Sequence, residues 1–321
     1  MAERRPRAYH PGTMTHRPFG KTGLNVSVLG YGAAPAAFLA SEQRQTARMI
    51  ESLLDAGMNL IDTAAMYPGS EAFLGEHLSH RRGDFVLVDK CGTKVPEIDA
   101  PPWSAALVAQ SVDRALQLLR IEVIDVMLLH SCDLATLKKG EALGELIKAR
   151  DAGKIRFVGY SGDNEAAAHA ATVPDIAVIE TSINVVDQVN IDGVLPSAQA
   201  NGVGIIAKRP IANAAWKDLA TQPGMYKNYA KEYSQRFAAM GLSPADLGFG
   251  GDPATAWPEV ALRFTLSFPQ VSTAIIGTTR LENARRNIEI ADKGPLPTDT
   301  VAAIRAAFRR VDPQGQWKGQ T

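Results

Sequence analysis

The strongest constraint on the fold is a regular alternation of short apolar runs with longer stretches of helical character. Eight runs are rich in β-branched residues and nearly continuous in apolar side chains, which is typical of parallel strands buried on both faces. Eight strand–helix units with short connections predict an α/β fold, a closed (β/α)8 TIM barrel, with an open doubly wound sheet as the alternative. The predicted strands are Val26–Gly32, Asn59–Ala64, Phe85–Cys91, Val123–His130, Ile155–Ser161, Ile176–Ile183, Gly204–Pro210 and Ser272–Gly277.

Helix boundary signals lie between these runs. Ser41 is a predicted N-cap, and Gly57 closes the helix that follows it. Ser104–Leu119 spaces its leucine and valine side chains for a second helix, and Gly153 and Gly202 end two more before their strands. These signals support the barrel assignment.

Two segments depart from the regular alternation. Residues 211–257 form a long excursion after the seventh strand, and long insertions on this side of a barrel usually shape a ligand site. Residues 298–310 predict one extra helix near the C-terminus.

Composition excludes several classes of protein. The 321 residues include 34 basic and 34 acidic side chains, and this zero net charge argues against a nucleic-acid partner. The two cysteines form no CxxC pair, so we expect no metal site. No apolar run approaches the roughly 18 residues that span a bilayer. Residues 1–13 lack a hydrophobic signal core and are predicted to be a disordered extension before one cytoplasmic barrel domain, residues 14–321.

Polar residues lie at the carboxyl ends of three neighbouring predicted strands, where barrel enzymes hold their active sites. Asp62 lies at this end of the second strand, Lys90 of the third and His130 of the fourth, and Tyr67 lies in the adjoining loop. Each residue alone has a structural interpretation, as an ion pair, a core histidine or a loop aromatic. Together at adjacent strand ends they indicate catalysis.

The four side chains suit the reduction of a carbonyl group. A tyrosine has a reference pKa of about 10, and a neighbouring ammonium favours its ionised form. Asp62 would hold Lys90 charged, and His130 could donate a hydrogen bond to the carbonyl oxygen. Hydride delivery creates an alkoxide that Tyr67 can protonate as general acid.

Several motifs give the chain a family resemblance. Residues 59–64 (Asn-Leu-Ile-Asp-Thr-Ala), with Tyr67 and residues 69–71 (Gly-Ser-Glu), resemble the first signature of the aldo-keto reductases. Residues 20–24 and 30–32 resemble the opening hairpin and first strand of that family. Residues 153–161 are similar to its fifth strand, and residues 275–287 to its C-terminal cofactor segment. The matches run in order from about residue 17 to residue 290 and cover most of the chain.

The resemblance implies a barrel with an N-terminal hairpin and a catalytic tetrad of Asp62, Tyr67, Lys90 and His130. It also implies a nicotinamide cofactor, NADP(H), held without a Rossmann domain. In agreement, the residues after Gly30 and Gly32 do not complete the GxGxxG motif of a Rossmann domain. The implied cofactor-binding residues are Gly32, Ser161, Gly162, Glu180, Lys208, Arg209, Pro210, Gly277, Thr278, Thr279, Arg280, Asn283 and Asn287.

Three positions depart from the pattern of the family around the nicotinamide. Gly162 stands where asparagine is usual, Glu180 replaces a glutamine, and the usual stacking aromatic maps to Ile183. Glu180 adds a charge that the usual site lacks.

The cofactor's phosphates have candidate partners at the last two strands. Lys208 and Arg209 would suit the pyrophosphate oxygens. Thr278 and Arg280 precede a helix, which is a suitable site for an adenosine 2′-phosphate and favours NADPH over NADH.

The substrate pocket is predicted to be walled by Tyr31, Met66, Trp103 and Trp216, with Tyr226 as a further candidate. Each of them also suits simple packing on the barrel rim. An apolar and aromatic wall indicates a small neutral aldehyde or ketone.

Two other functions stay open from the sequence. Lys90 could form a Schiff base in a lyase, although Asp62 argues against a neutral lysine. The chain could also be a non-catalytic barrel that binds NADPH and acts as a sensor or partner subunit, because the nicotinamide positions are altered.

Overall fold

The computed structural model describes residues 14–38, 42–222 and 226–320. Residues 1–13, predicted to be a disordered extension, and the predicted N-cap Ser41 lie outside them. Eight parallel strands close into a barrel, and two short strands form an antiparallel hairpin ahead of it. The hairpin strands are β1 (His16–Pro18) and β2 (Asn25–Ser27); the barrel strands are β3 (Leu29–Gly32), β4 (Leu60–Asp62), β5 (Val86–Cys91), β6 (Ile124–His130), β7 (Ile155–Ser161), β8 (Ile176–Ser182), β9 (Gly204–Lys208) and β10 (Val271–Ile276).

The strands follow one another around the barrel in sequence order, and β10 pairs with both β9 and β3 to close it. Helices surround the barrel, as in the (β/α)8 fold. They are α1 (Ala34–Phe38), α2 (Gln43–Asp55), α3 (Ser70–His77), α4 (Ala105–Leu119), α5 (Leu134–Lys139), α6 (Glu141–Asp151), α7 (Asn164–Ala170), α8 (Val189–Gly193), α9 (Leu195–Ala200), α10 (Tyr226–Met240), α11 (Pro253–Leu266), α12 (Leu281–Asp292) and α13 (Thr298–Val311).

Several sequence signals have the predicted structural role. The Ser104 hydroxyl caps α4 by accepting a hydrogen bond from the Leu107 amide. Gly153 and Gly202 adopt positive φ angles after α6 and α9, a conformation that glycine adopts at little cost. The extra helix predicted over residues 298–310 is α13.

The first predicted strand was wrong in one respect, because Val26–Gly32 is two strands. The chain changes partners at Val28, whose amide donates to Thr15 in the hairpin and whose carbonyl accepts from Ala274 in the barrel. The hairpin packs its buried Phe19 and Val26 against the apolar side chains inside the barrel. The hairpin connection also bonds to the start of the seventh barrel strand, because the Lys21 amide donates to the Gly202 carbonyl. It therefore covers the amino-terminal end and leaves the carboxyl end for a site.

Candidate active site

Alternate residues of a strand point to the same face of the sheet, and this places the polar side chains of the site in the barrel interior. Val86, Val88 and Lys90 alternate along β5, and the two valines belong to the apolar cluster inside the barrel. The same change from apolar to polar occurs at the carboxyl ends of four other strands. The inward pairs are Leu60 and Asp62, Leu128 and His130, Val178 and Glu180, and Ile206 and Lys208.

Lys90 and Asp62 form a buried ion pair. The Lys90 ammonium donates to both Asp62 carboxylate oxygens at 2.6 Å and to the Thr63 carbonyl at 3.0 Å. Burial alone would lower the pKa of Lys90, but the charges of Asp62 and Glu180 outweigh it and raise the pKa above its usual value. Lys90 is therefore a fixed positive charge.

Glu180 is the second carboxyl group on this ammonium. Its Oε2 lies 3.2 Å from Lys90 Nζ, so both carboxyl groups face the same ammonium. Burial and the neighbouring Glu180 raise the pKa of Asp62 well above its ordinary value, although Lys90 opposes the shift. The sequence predicted Glu180 as a cofactor-binding residue but did not predict its contact with Lys90.

Tyr67 and His130 lie beside this charged group. Lys90 Nζ is 5.3 Å from the centre of the Tyr67 ring, and the Tyr67 and His130 rings meet edge to face at 6.2 Å. Burial, Lys90 and Lys208 lower the pKa of His130 well below its usual value. The imidazole is therefore neutral at physiological pH, and it can donate one N–H. The four predicted catalytic residues thus meet at one place.

A cavity of about 850 Å3, here named the central pocket, opens at this end of the barrel. It extends from Asp62 and Tyr67 to the start of α12, and its volume is within the range of ligand sites. Most of the predicted site residues line it. They are Gly32, Asp62, Met66, Tyr67, Trp103, His130, Ser161, Glu180, Lys208, Arg209, Pro210, Gly277, Thr278, Thr279, Arg280 and Asn283.

Two predicted substrate residues are placed elsewhere. Tyr31 is fully buried and donates to the Thr278 carbonyl, so it packs beneath the pocket. Trp216 stacks on Trp257 and meets Phe237 edge to face. Neither lines the central pocket. The side chain of Tyr226 lies outside the described residues.

Three predicted site residues also lie behind the pocket surface. Lys90 is covered by its carboxylates, and Asn287 is one turn further along α12 than Asn283. Gly162 lies against Tyr160, because a Cβ at this position would be 2.4 Å from the Tyr160 hydroxyl oxygen. This hydroxyl is fixed by donating to the Cys132 carbonyl at 2.7 Å. The tyrosine therefore explains why glycine replaces the usual asparagine.

The two cations predicted for phosphate binding already have partners. Lys208 Nζ lies 2.8 Å from a carboxylate oxygen of buried Asp163. Arg209 donates to the Gln320 carbonyl and to the Ser182 hydroxyl, and its guanidinium covers the Tyr229 ring. The C-terminal segment, which local sequence signals did not place, therefore reaches the rim of the pocket.

Sequence reasoning missed several residues that line the central pocket. Tyr229, one turn from the candidate Tyr226 on α10, lines the pocket. Thr93 Oγ1 and Asn213 Nδ2 are buried and have no hydrogen-bond partner among the described residues. Asn213 lies within three consecutive non-glycine residues of positive φ, Ala212–Ala214, an unfavourable conformation that suits a functional loop.

The far end of the pocket is a helix N-terminus. Arg280 is the N-cap residue of α12, and its amide donates to the Thr278 hydroxyl at 3.1 Å. Its side chain is exposed at the pocket rim. Unpaired amides and the positive end of the helix dipole favour an anion here.

Two other kinds of feature are absent from the described part of the chain. No group of three or more potential metal ligands occurs there. Within the same residues, no helix has the length and apolar character needed to cross a membrane.

The sequence profile of the Aldo/keto reductase family matches residues 28–309. The chain belongs to this family. The family assignment agrees with the closed eight-stranded barrel and its hairpin, and it makes an oxidoreductase activity the expected one.

Relatives of the chain match over nearly its whole length. It is 26% identical to L-galactose dehydrogenase of Arabidopsis thaliana over 314 residues, covering 92% of this chain and 94% of the relative. It is 25% identical to L-glyceraldehyde 3-phosphate reductase of Escherichia coli O157:H7, covering 91% and 92%. The structure of an aldo-keto reductase from Bacillus halodurans superimposes with a TM-score of 0.76 at 23% identity, covering 92% and 96%, which supports the fold.

Proposed function

We propose that the chain is an NADPH-dependent oxidoreductase that reduces aldehydes or ketones to alcohols, with Tyr67 as general acid. The observation that carries the proposal is the meeting of Tyr67, His130 and the Lys90–Asp62 pair at one end of the central pocket. These groups together provide an acid, a hydrogen-bond donor and a fixed positive charge.

Each of these residues would have its own role in the reaction. A bound reduced nicotinamide would supply the hydride. His130, which is neutral, would donate a hydrogen bond to the carbonyl oxygen and orient it. Tyr67 would give its phenolic proton to the same oxygen as negative charge develops. The Lys90 ammonium, 5.3 Å from the Tyr67 ring centre, would stabilise the phenolate that remains.

The remaining pocket residues suit a dinucleotide. Ser161 and Glu180 line the pocket near the tetrad and would hold the carboxamide. Pro210, Gly277 and Thr279 line its middle part, where the backbone can approach a pyrophosphate closely. Lys208 and Arg209 would contribute positive potential, although both have protein partners.

The preference for NADPH rests on the far end of the pocket. Arg280 and the N-terminus of α12 offer a guanidinium and backbone amides to a phosphate group. NADH has no 2′-phosphate to use them.

We further propose that the substrate is a hydroxylated carbonyl compound. Thr93 Oγ1 and Asn213 Nδ2 are buried without partners among the described residues, and both residues line the pocket. Substrate hydroxyl groups could satisfy such atoms, whereas a purely apolar aldehyde could not. The names of two relatives, L-galactose dehydrogenase and L-glyceraldehyde 3-phosphate reductase, also refer to hydroxylated carbonyl compounds. Trp103 and Met66 would cover the apolar part of the substrate.

A non-catalytic NADPH-binding barrel is the second candidate. The observation that favours it is the altered nicotinamide end, where Tyr160 fills the space beside Gly162 and where Ile183 is fully buried. Such a protein would bind the cofactor tightly and turn over no carbonyl compound.

The deciding experiment follows the near-ultraviolet absorbance of reduced nicotinamide with a panel of hydroxylated and unsubstituted aldehydes. We expect aldehyde-dependent consumption that is faster with NADPH than with NADH and greater with the hydroxylated aldehydes. Cofactor binding by fluorescence, without consumption on any aldehyde, would favour the non-catalytic barrel.

A further inference from the structure

Glu180 occupies a position from which it can act on both the ammonium and the cofactor. It is 3% exposed, its Oε2 is 3.2 Å from Lys90 Nζ, and it lines the central pocket. It is paired in register with Ser161 on the neighbouring strand β7. Since Ser161 matches the carboxamide-binding serine of the family, Glu180 lies beside the proposed nicotinamide position.

The buried site contains two carboxyl groups and one ammonium group. Asp62 takes both of its close contacts from Lys90, and Glu180 Oε2 lies 3.2 Å from the same ammonium. When both carboxyl groups are ionised, Lys90 balances only one of the two negative charges. The site then carries one excess negative charge that water screens weakly.

This excess charge acts differently on the two forms of a nicotinamide. The oxidised ring carries a positive charge, and the reduced ring is neutral. All other groups of the cofactor are the same in the two forms. A negative charge beside the ring therefore stabilises the oxidised form selectively.

We propose that Glu180 makes the site bind the oxidised cofactor more tightly than the reduced one and so favours hydride transfer from the reduced ring to a carbonyl group. The inference rests on the proposed function, because it requires a nicotinamide in the central pocket. In this direction the reduced ring would give a hydride to the carbonyl carbon, and Tyr67 would give its proton to the carbonyl oxygen. The products are the alcohol and the oxidised cofactor.

The preference depends on pH, because burial and the neighbouring Glu180 raise the pKa of Asp62, and the excess charge is present only when Asp62 is ionised. The charged and titratable groups around Asp62 and Glu180 are Lys90, Tyr67, His130, Lys208 and Arg209. Lys90 and Arg209 stay charged and His130 stays neutral in this surrounding. Tyr67 is present in every variant compared below, so it cannot account for a difference between them.

The test measures the dissociation constants of NADP+ and NADPH by fluorescence and calorimetric titration. The wild type is compared with Glu180→Gln, which keeps the shape of the side chain and removes its charge. Glu165→Gln, an exposed position on α7 after the neighbouring strand, is the charge-matched control. The ratio of the two constants cancels every contact that both forms of the cofactor share.

We expect the NADP+/NADPH ratio of dissociation constants to rise about tenfold in Glu180→Gln and to change less than about twofold in Glu165→Gln. In the wild type the ratio should fall as the pH rises and Asp62 loses its proton, and this dependence should weaken in Glu180→Gln. The wild-type measurement needs no variant to fold.

An unchanged ratio in a folded Glu180→Gln protein, or a wild-type ratio that does not fall with pH, would overturn this inference. Either outcome would leave the reductase proposal intact, because both forms still bind. Failure of the wild type to bind either form would instead reject the proposed function itself.

Discussion

The ammonium nitrogen of Lys90 lies 2.6 Å from each carboxylate oxygen of Asp62, in a barrel interior where both side chains are almost fully buried. This contact holds Lys90 in its charged form, because the pKa of the ammonium is raised. A charged lysine can stabilise a phenolate but cannot attack a carbonyl carbon. The contact therefore separates the reductase proposal from the Schiff-base alternative.

Borohydride trapping tests this separation directly. Treating the protein with an aldehyde and borohydride should leave Lys90 unmodified, because a protonated amine forms no imine. Peptide mass spectrometry checks the result, with exposed lysines as internal controls for the reagent. Stoichiometric labelling of Lys90 would instead support a lyase.

Replacing Arg280 should change the choice of cofactor. Arg280→Ala should weaken NADPH binding about tenfold and NADH binding less than about twofold, because only NADPH carries the 2′-phosphate. Arg285→Ala, an exposed arginine on the same helix, is the control. Equal losses for both cofactors would place the 2′-phosphate away from Arg280.

The polar network under the C-terminal segment should make stability depend on pH. Burial and the nearby Asp163 raise the pKa of Asp187 to about 7, and its carboxylate accepts from the Tyr233 hydroxyl and the Gln320 amide. A raised pKa in the folded state contributes stability at pH below about 4, and that stability is lost as the pH rises through 7.

Asp187→Asn removes this titration while keeping the shape of the side chain. Between pH 5 and pH 8 the wild type should lose at least about 1 kcal/mol of unfolding free energy that the variant does not lose. Urea unfolding at the two pH values measures the difference. A constant difference would mean that Asp187 does not titrate between these pH values in the folded protein and would contradict its raised pKa.

Restoring the usual asparagine at Gly162 should be costly. A Cβ there would lie 2.4 Å from the Tyr160 hydroxyl oxygen, so Gly162→Asn should lower the unfolding free energy by about 1–3 kcal/mol. The same change should cost much less in a Tyr160→Val background, where the overlap is removed. Equal costs in both backgrounds would show that Tyr160 is not the obstacle.

The sequence predicted most of the barrel because its strands are continuous apolar runs and its helices end at recognisable glycines. It also predicted that Asp62, Lys90 and His130 converge, since adjacent parallel strands end at one rim. The split at Val28 could not be predicted, because both parts of the run are equally apolar. The two parts differ only in the strands with which they pair, since one pairs in the hairpin and the other in the barrel.

Contacts across the barrel were harder to predict. The contact between Lys90 and Glu180 joins β5 and β8, which are not neighbours in the sheet, so it exists only once the barrel closes. Arg209 and Gln320 are separated by 111 residues, and no local pattern indicates that this carbonyl reaches the pocket. The role of Tyr160 beside Gly162 likewise depends on side-chain placement.

The central claim is that Tyr67 supplies the proton, and the most direct test is the turnover rate of Tyr67→Phe beside its affinity for NADPH. We expect turnover with the best aldehyde to fall at least about a hundredfold, because the acid is lost, and the NADPH dissociation constant to change less than about threefold. Turnover within a few-fold of the wild type in a folded Tyr67→Phe protein would contradict the account.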